Sequence, residues 1–131
     1  MSPKPAILVV DDHPAVSTSL GFILEDAGYN PLVATSARQA VELTSEFLPD
    51  IALIDIHLPD QDGISLARQL CQRVPDCKIL LMTGSTEGSE LVQTAMKEGL
   101  EFEVLAKPIP PPELLQRLSS MLPSRTKMPT S

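Results

Sequence analysis

The sequence predicts an α/β domain in which a parallel sheet is covered by helices on both faces. Short, almost wholly apolar runs recur along the chain, as in parallel strands buried between two layers. Stretches with helical spacing separate these runs, so that a strand–helix unit occurs five times. Pro-Asp also stands just before two of the apolar runs, at 49–50 and 75–76, which indicates two helix-to-strand turns of one kind. We therefore predict an open, doubly wound sheet of five strands with right-handed crossovers.

The predicted strands differ in how strongly the sequence marks them. Three are continuous apolar runs, AILVV at 6–10, IALI at 51–54 and ILLM at 79–82. The segment from Phe102 to Ala106 is marked more weakly, and a further candidate at 31–34 follows Gly28.

Each of the five predicted helices has one apolar face. The first stops at Gly28, the second begins at Ser36, which forms a capping box with Gln39, and the fourth is closed by Gly99. The fifth follows three prolines at 110–112. The predicted inner faces are Val16, Leu20, Ile23, Leu24 and Ala27; then Ala37, Ala40, Val41 and Thr44; then Ile64, Ala67, Leu70, Cys71 and Val74; then Leu91, Val92, Ala95 and Met96; and last Leu114, Leu115, Leu118, Met121 and Leu122.

The length and composition limit the kinds of protein this can be. A chain of 131 residues, 43% hydrophobic and 21% charged, fits one globular domain, which we place at 1–122, with 123–131 as a flexible tail or the start of a linker. No apolar run is long enough for a membrane span or a secretory signal, so a cytoplasmic protein is expected. The net charge of −7, without any run of Lys or Arg, argues against direct binding to nucleic acid or to an anionic membrane.

Polar side chains stand where the predicted strands end. Strand one ends in Asp11 and Asp12, strand three in Asp55, strand four in Thr83 and strand five in Lys107. In an open doubly wound sheet, ligands bind outside these carboxyl ends. Each residue also has a simpler explanation, since either of the first two aspartates could cap the first helix and Asp55 could cap a loop. Together, they predict one polar crevice.

The composition of this crevice favours a metal ion and phosphoryl chemistry. Three carboxylates close together raise one another's pKa unless a cation neutralises them, and oxygen ligands without Cys or His indicate Mg²⁺. A carboxylate beside Mg²⁺ can take a phosphoryl group and form an acyl phosphate. Mg²⁺, the Lys107 ammonium and the Thr83 hydroxyl would then stabilise the negative charge of that group.

These residues resemble a known family. The segments VVDDHP (9–14), LIDIHLPDQDG (53–63), LMTG (81–84) and KP (107–108) are similar to those of the receiver domains of two-component response regulators, and the resemblance covers about residues 5 to 122. It implies a flavodoxin-like fold with strand order 2-1-3-4-5. It also implies a signalling protein and not an enzyme, whose phosphoryl group comes from a sensor histidine kinase or a histidine phosphotransfer protein.

The resemblance also implies a role for each site residue. Asp55 would be the phosphoacceptor. Asp12, Asp55 and the backbone carbonyl of His57 would bind Mg²⁺ directly, and Asp11 would act largely through water. Thr83 would move toward the phosphoryl group, and Lys107, joined to Pro108 by a cis peptide bond, would pair with it. An output partner or a homodimer would use the face formed by the fourth helix, the fifth strand and the fifth helix.

One position departs from the family pattern. Receiver domains usually carry Tyr or Phe three residues before the lysine, and here that residue is Val104; Phe102 has the same strand parity but comes two residues early. Phosphorylation should survive, because Val104 makes none of the proposed metal or phosphoryl contacts. We predict that activation depends more on the loop after Thr83, residues 83–90, than on an aromatic side chain that changes rotamer.

Two other classes of protein are less consistent with the sequence. A phosphatase of the haloacid dehalogenase type needs D-x-D after its first strand, whereas Asp11 and Asp12 are adjacent, and no insertion is long enough for a cap domain. A receiver-like interaction module that no longer takes phosphate would usually lack an acidic-pair residue, the acceptor or the lysine, and all of these are present.

Overall fold

The computed structural model describes residues 4–84, 93, 96–97 and 102–122. Over these residues the chain alternates strands and helices, in the order β1 (Ala6–Val10), α1 (Pro14–Asp26), β2 (Asn30–Ala34), α2 (Ala37–Leu43), β3 (Ile51–Asp55), α3 (Gly63–Arg73), β4 (Lys78–Thr83), β5 (Glu103–Ala106) and α4 (Pro111–Met121). The helix labelled α4 is the fifth predicted one. Residues 93, 96 and 97 are helical, but Leu91, Val92, Ala95 and Gly99 of the predicted fourth helix lie outside the described residues.

All five strands belong to one parallel sheet with the order β2-β1-β3-β4-β5. This confirms the doubly wound α/β class, the flavodoxin-like strand order and all five predicted strands. The order reverses at β1, because the chain first adds β2 on one side and then crosses to add β3 on the other. The carboxyl ends of β1 and β3 therefore lie side by side at the switch point, where such folds bind ligands.

The inner strands of the sheet, β1, β3 and β4, are buried on both faces. Successive side chains of a strand point to opposite faces, so Leu8 and Val10 of β1 pack into the layer under α2 and α3, whereas Ile7 and Val9 pack into the layer under α1 and α4. All four are fully buried. Burial on both faces explains why these strands are uninterrupted apolar runs and do not alternate with polar residues.

The ends of the helices follow from local residue chemistry. Gly28 has φ of +96°, the left-handed conformation that glycine adopts easily after a helix, which confirms the predicted stop of α1. Ser36 caps α2 by accepting a hydrogen bond from the Gln39 N–H, as predicted. The Gln39 side chain, however, accepts from the backbone N–H of Thr35 and not from that of Ser36.

Three residues predicted on inner helix faces are exposed. Ala27 is the C-cap residue of α1 and faces solvent. Cys71 lies at the surface of α3, and the neighbouring turn instead buries Leu66. Met96, assigned to the inner face of the fourth predicted helix, is 51% exposed. Cys71 and Met96 are each adjacent to an apolar residue in the sequence, so apolar character by itself wrongly predicted that they are buried. A search of the described helices finds none with the length and hydropathy needed to span a membrane.

Candidate functional site

The predicted polar residues meet at the carboxyl edge of the sheet. Asp11 and Asp12 directly follow β1, Asp55 is the last residue of β3, Thr83 ends β4, and Lys107 directly follows β5. These four strands are consecutive neighbours in the sheet. Residues separated by as many as 96 positions in the sequence are thus brought into contact.

Lys107 connects the two buried carboxylates of the site. Its Nζ lies 2.8 Å from Oδ2 of Asp11 and 2.8 Å from Oδ2 of Asp55. The side chains of Asp11 and Asp55 are 0% and 4% exposed, so neither charge is hydrated to any large extent. Burial by itself disfavours the charged forms of Asp11 and Lys107, but their hydrogen bonds outweigh it. The pKa of Asp11 is therefore lowered and the pKa of Lys107 is raised.

His13 is the site residue that the sequence did not reveal. Its Nδ1 lies 3.0 Å from Oδ1 of Asp11, 3.3 Å from Oδ1 of Asp12 and 4.0 Å from Oδ2 of Asp55, while the side chain is 63% exposed. The hydrogen bond to Asp11 and the nearby charge of Asp12 raise the pKa of His13. Its only sequence signal was its place directly after Asp11 and Asp12.

The acidic cluster fits a hard cation. Asp11, Asp12, His13 and Asp55 each offer one ligand atom, and these atoms all lie within 4.8 Å of one another. Oδ1 of Asp12 is buried and accepts no hydrogen bond from any residue the structure describes, although His13 Nδ1 is within ion-pair distance. A buried carboxylate oxygen without a donor is costly in the metal-free protein, and a bound cation removes that cost. Carboxylate oxygens are the ligands that Mg²⁺ prefers.

The loop between β3 and α3 is held in place close to Asp55. The His57 backbone N–H donates to Oδ1 of Asp55 at 3.0 Å, and the Gly63 N–H donates to the Ile56 carbonyl at 2.6 Å. A Cβ at Gly63 would overlap the backbone carbonyl of Asp55, so only glycine permits the loop to turn this tightly. Asp62 then caps α3 by accepting from the Ser65 N–H at 2.8 Å.

Thr83 and Lys107 are linked through the main chain. Thr83 is 6% exposed, and its carbonyl accepts a hydrogen bond from the Lys107 N–H at 2.9 Å. The register pairs Asp55 with Met82, the residue before Thr83. The Lys107–Pro108 peptide bond is cis, as expected.

The structure also tests the simpler explanations for the aspartates. His13 occupies the N-cap position of α1 and makes no side-chain cap, so Asp11 and Asp12 are not the cap residues of this helix. Asp55 does cap the loop, because its Oδ1 accepts from the His57 N–H, but it is also a buried strand residue whose Oδ2 is bonded to Lys107. In the structure, Asp11, Asp12, Asp55 and Lys107 therefore lie together in one crevice, as the sequence predicted.

A family model described as the response regulator receiver domain matches residues 7–119, which is most of the chain. The chain belongs to this family. It is 36% identical over 116 residues to the response regulator MprA of Mycolicibacterium vanbaalenii and 35% identical over 121 residues to the phosphate regulon transcriptional regulatory protein PhoB of Pseudomonas aeruginosa. These matches cover 88% of this chain but only 49% and 51% of those proteins, so the chain spans about half the length of the curated relatives it matches.

Solved receiver domains have the same fold. A CheY-like receiver domain from Methanospirillum hungatei matches with a TM-score of 0.81 and 30% identity, covering 95% of this chain and 98% of that one. The signal receiver domain of an HD domain-containing protein from Pseudomonas fluorescens matches with a TM-score of 0.85 and 29% identity, covering 97% and 93%. The identification as a receiver domain of two-component response regulators is thereby confirmed.

Proposed function

We propose that this receiver domain takes a phosphoryl group onto Asp55 in a Mg²⁺-dependent reaction, and so acts as a signalling phosphoacceptor and not as an enzyme with a separate substrate. The donor would be a phosphohistidine on a sensor histidine kinase or a histidine phosphotransfer protein. The proposed domain extends over residues 1–122, with 123–131 as a tail or the start of a linker. A cytoplasmic location fits such a donor.

The observation that carries this proposal is the charge balance of the crevice. Three carboxylates share one ammonium, Lys107, which contacts Asp11 and Asp55, while an oxygen of Asp12 has no hydrogen-bond donor among the described residues. Negative charge therefore exceeds positive charge at the most buried part of the site. A divalent cation would restore the balance and would tolerate a second anion, such as a phosphoryl group, beside Asp55.

Each residue would have a distinct part in the reaction. Asp12, Asp55 and the His57 carbonyl would hold Mg²⁺, with Asp11 acting through water, and the ion would supply neutralising charge near the phosphoryl oxygens. A carboxylate oxygen of Asp55 would attack phosphorus. As the new O–P bond forms, the P–N bond of the phosphohistidine breaks, and its electron pair returns to the imidazole nitrogen of the donor.

The remaining residues would position and stabilise the group. The His57 N–H holds Oδ1 of Asp55, which fixes the rotation of the carboxylate. The Lys107 ammonium, already 2.8 Å from Oδ2 of Asp55, would move its hydrogen bond to the transferred group, and the Thr83 hydroxyl would donate to the same group.

The proposed signal leaves the site through the segment after Thr83. Val104 occupies the usual aromatic position and packs against the core layer under α2 and α3 together with Phe102. Residues 85–92 lie outside the described residues, so a backbone change over 83–90 stays a prediction. A comparison of this segment with and without a phosphoryl mimic tests it. The output face, for a partner or a homodimer, would be the predicted fourth helix with β5 and α4.

Intact-mass measurement with a donor that contains a P–N bond tests the proposal. Incubation with Mg²⁺ and phosphoramidate should add the mass of one phosphoryl group to the wild type and nothing to Asp55→Asn. Asp62→Asn is the matched control, because it removes a carboxylate from the same loop without touching Lys107, and it should still be labelled. Labelling of Asp55→Asn, or a wild type that stays unlabelled with Mg²⁺ present, would exclude Asp55 as the acceptor.

A further inference from the structure

A carboxylate in the loop after the proposed acceptor caps a different helix. Asp60 lies between β3 and α3, yet its Oδ1 accepts from the Ala37 N–H at 3.0 Å and its Oδ2 accepts from the Arg38 N–H at 2.9 Å. These donors are the first two residues of α2, more than 20 positions earlier in the sequence. The two hydrogen bonds lower the pKa of Asp60, so it is a carboxylate at neutral pH.

Asp60 and Ser36 divide the capping of α2 between them. The first N–H groups of a helix have no partner within the helix. Ser36 satisfies the third, from Gln39 at 3.1 Å, and Asp60 satisfies the first two. Ser36 is local to the helix, whereas Asp60 belongs to the loop that begins at Asp55. Of these two caps, only Asp60 therefore joins α2 to the candidate site.

The α2 end of this link is firmly fixed. Ala37 and Ala40 are 2% and 0% exposed, and both pack in the core layer under the helix. On the other side, the His57 N–H bond to Asp55 ties the loop to the site. A single antiparallel β-bridge between His57 and Asp62 holds the two ends of the loop together. Asp60 lies between these ties, so its two hydrogen bonds limit how far the middle of the loop can move.

We propose that Asp60 is a positioning residue for the phosphoacceptor site. By clamping the loop to α2, it holds the His57 backbone in the orientation that serves Asp55 and the metal ion. This inference rests on the proposed function, because the His57 carbonyl is a proposed Mg²⁺ ligand. Coupling between two sites is reciprocal, so metal binding at Asp55 in turn stabilises the hydrogen bonds at the start of α2.

A comparison of two caps on one helix tests the inference. Asp60→Asn removes one acceptor oxygen from the loop cap, and Ser36→Ala removes the local cap, so both variants weaken the same end of α2. Asp60→Asn should weaken Mg²⁺ binding about tenfold by titration calorimetry, in the range seen when an outer partner of a metal ligand is lost. Ser36→Ala should leave Mg²⁺ affinity unchanged. Urea unfolding shows whether the two variants are comparably destabilised.

A readout without metal separates this inference from the proposed function. Hydrogen exchange of the His57 and Gly63 amides should be faster in metal-free Asp60→Asn than in Ser36→Ala or the wild type. If exchange and Mg²⁺ affinity are the same in both variants, Asp60 is a helix cap only and the positioning role is wrong. If the wild type binds no Mg²⁺, the metal part of the proposed function fails, and exchange alone decides whether Asp60 orders the loop. Asp60→Ala, which removes both acceptors, should enlarge each effect.

Discussion

The loops that follow the two adjacent strands β1 and β3 are built in opposite ways. The β1 loop, residues 11–13, concentrates charge: two carboxylates and an imidazole lie within hydrogen-bond or ion-pair distance, and one Asp12 oxygen has no donor among the described residues. The β3 loop, residues 56–62, instead has a backbone held by hydrogen bonds. These are the Gly63 N–H bond to the Ile56 carbonyl, the Asp62 cap of α3 and the Asp60 link to α2. The two loops meet at Asp55, whose neighbours come from both.

This difference indicates a division of labour between side chains and main chain. Side-chain carboxylates bind a cation even when they can move, because charge acts over distance. A backbone carbonyl such as that of His57 has a weaker dipole and contributes only when the chain around it is held still. Substitutions in the β3 loop that leave the Asp60 link to α2 intact should therefore change stability most, and substitutions in the β1 loop should change metal binding most.

The largest expected effect is that of Gly63→Ala. The added Cβ would overlap the Asp55 carbonyl and lie 2.8 Å from Ile56 Cα, so the backbone must shift. We expect a loss of about 3 kcal/mol in the free energy of unfolding, measured in urea, as for overpacked sites. The matched control is Gly84→Ala, whose Cβ would meet, among the described residues, only the Lys107 side chain at an ordinary 3.6 Å, and which should change stability little. Equal effects of the two variants would show that the β3 loop is not tightly constrained.

Lys107→Met should have the next largest effect. It removes the ammonium that lies between two buried carboxylates and leaves Asp11 and Asp55 facing each other. Losing one partner of a buried pair is strongly destabilising, and with the lysine side chain 20% exposed we expect about 2 kcal/mol in metal-free buffer. Mg²⁺ should restore more stability to this variant than to the wild type, because it replaces the missing positive charge. Thermal unfolding with Mg²⁺ or with a chelator measures both effects, and the prediction is wrong if Mg²⁺ stabilises both proteins equally.

The sequence predicted the layers of the fold well because β1, β3 and β4 are apolar on both faces and each described helix is apolar on one. It also predicted that Asp11, Asp12, Asp55 and Lys107 converge, since all follow strands whose ends must share an edge. It did not predict His13 or Asp60, because their partners depend on how two loops approach in space. No local sequence pattern identifies the distant partner of a histidine that follows two aspartates, or of an aspartate in a Pro-Asp turn.

Asp62→Ala and Asp12→Ala compare the two loops with the same change. Asp62 caps α3, so its loss should cost about 1 kcal/mol of stability and leave Mg²⁺ affinity nearly unchanged. Asp12 has an oxygen that accepts no hydrogen bond from the described residues, so its loss should cost no stability in metal-free buffer at alkaline pH, where His13 is neutral. It should weaken Mg²⁺ binding at least tenfold by calorimetry. The reverse pattern would contradict the division between the two loops.

The smallest expected effect is the pH dependence that His13 gives to the β1 loop. Its pKa is raised by Asp11 and Asp12, so the folded state holds the imidazolium more tightly than the unfolded state does. The stabilisation is therefore complete below about pH 6.5, the unfolded value, and is lost as the pH rises through the folded pKa.

Urea unfolding of the wild type and His13→Gln between about pH 5.5 and 9, with a chelator present, measures this effect. The stability difference between them should be largest at the acidic end of this range and should shrink steadily toward the alkaline end. Mg²⁺ competes with the imidazolium for the same carboxylates, so its affinity should rise with pH more steeply in the wild type than in the variant. If the stability of the two proteins changes with pH in parallel, His13 lies beside the aspartates without binding its proton more tightly in the folded state.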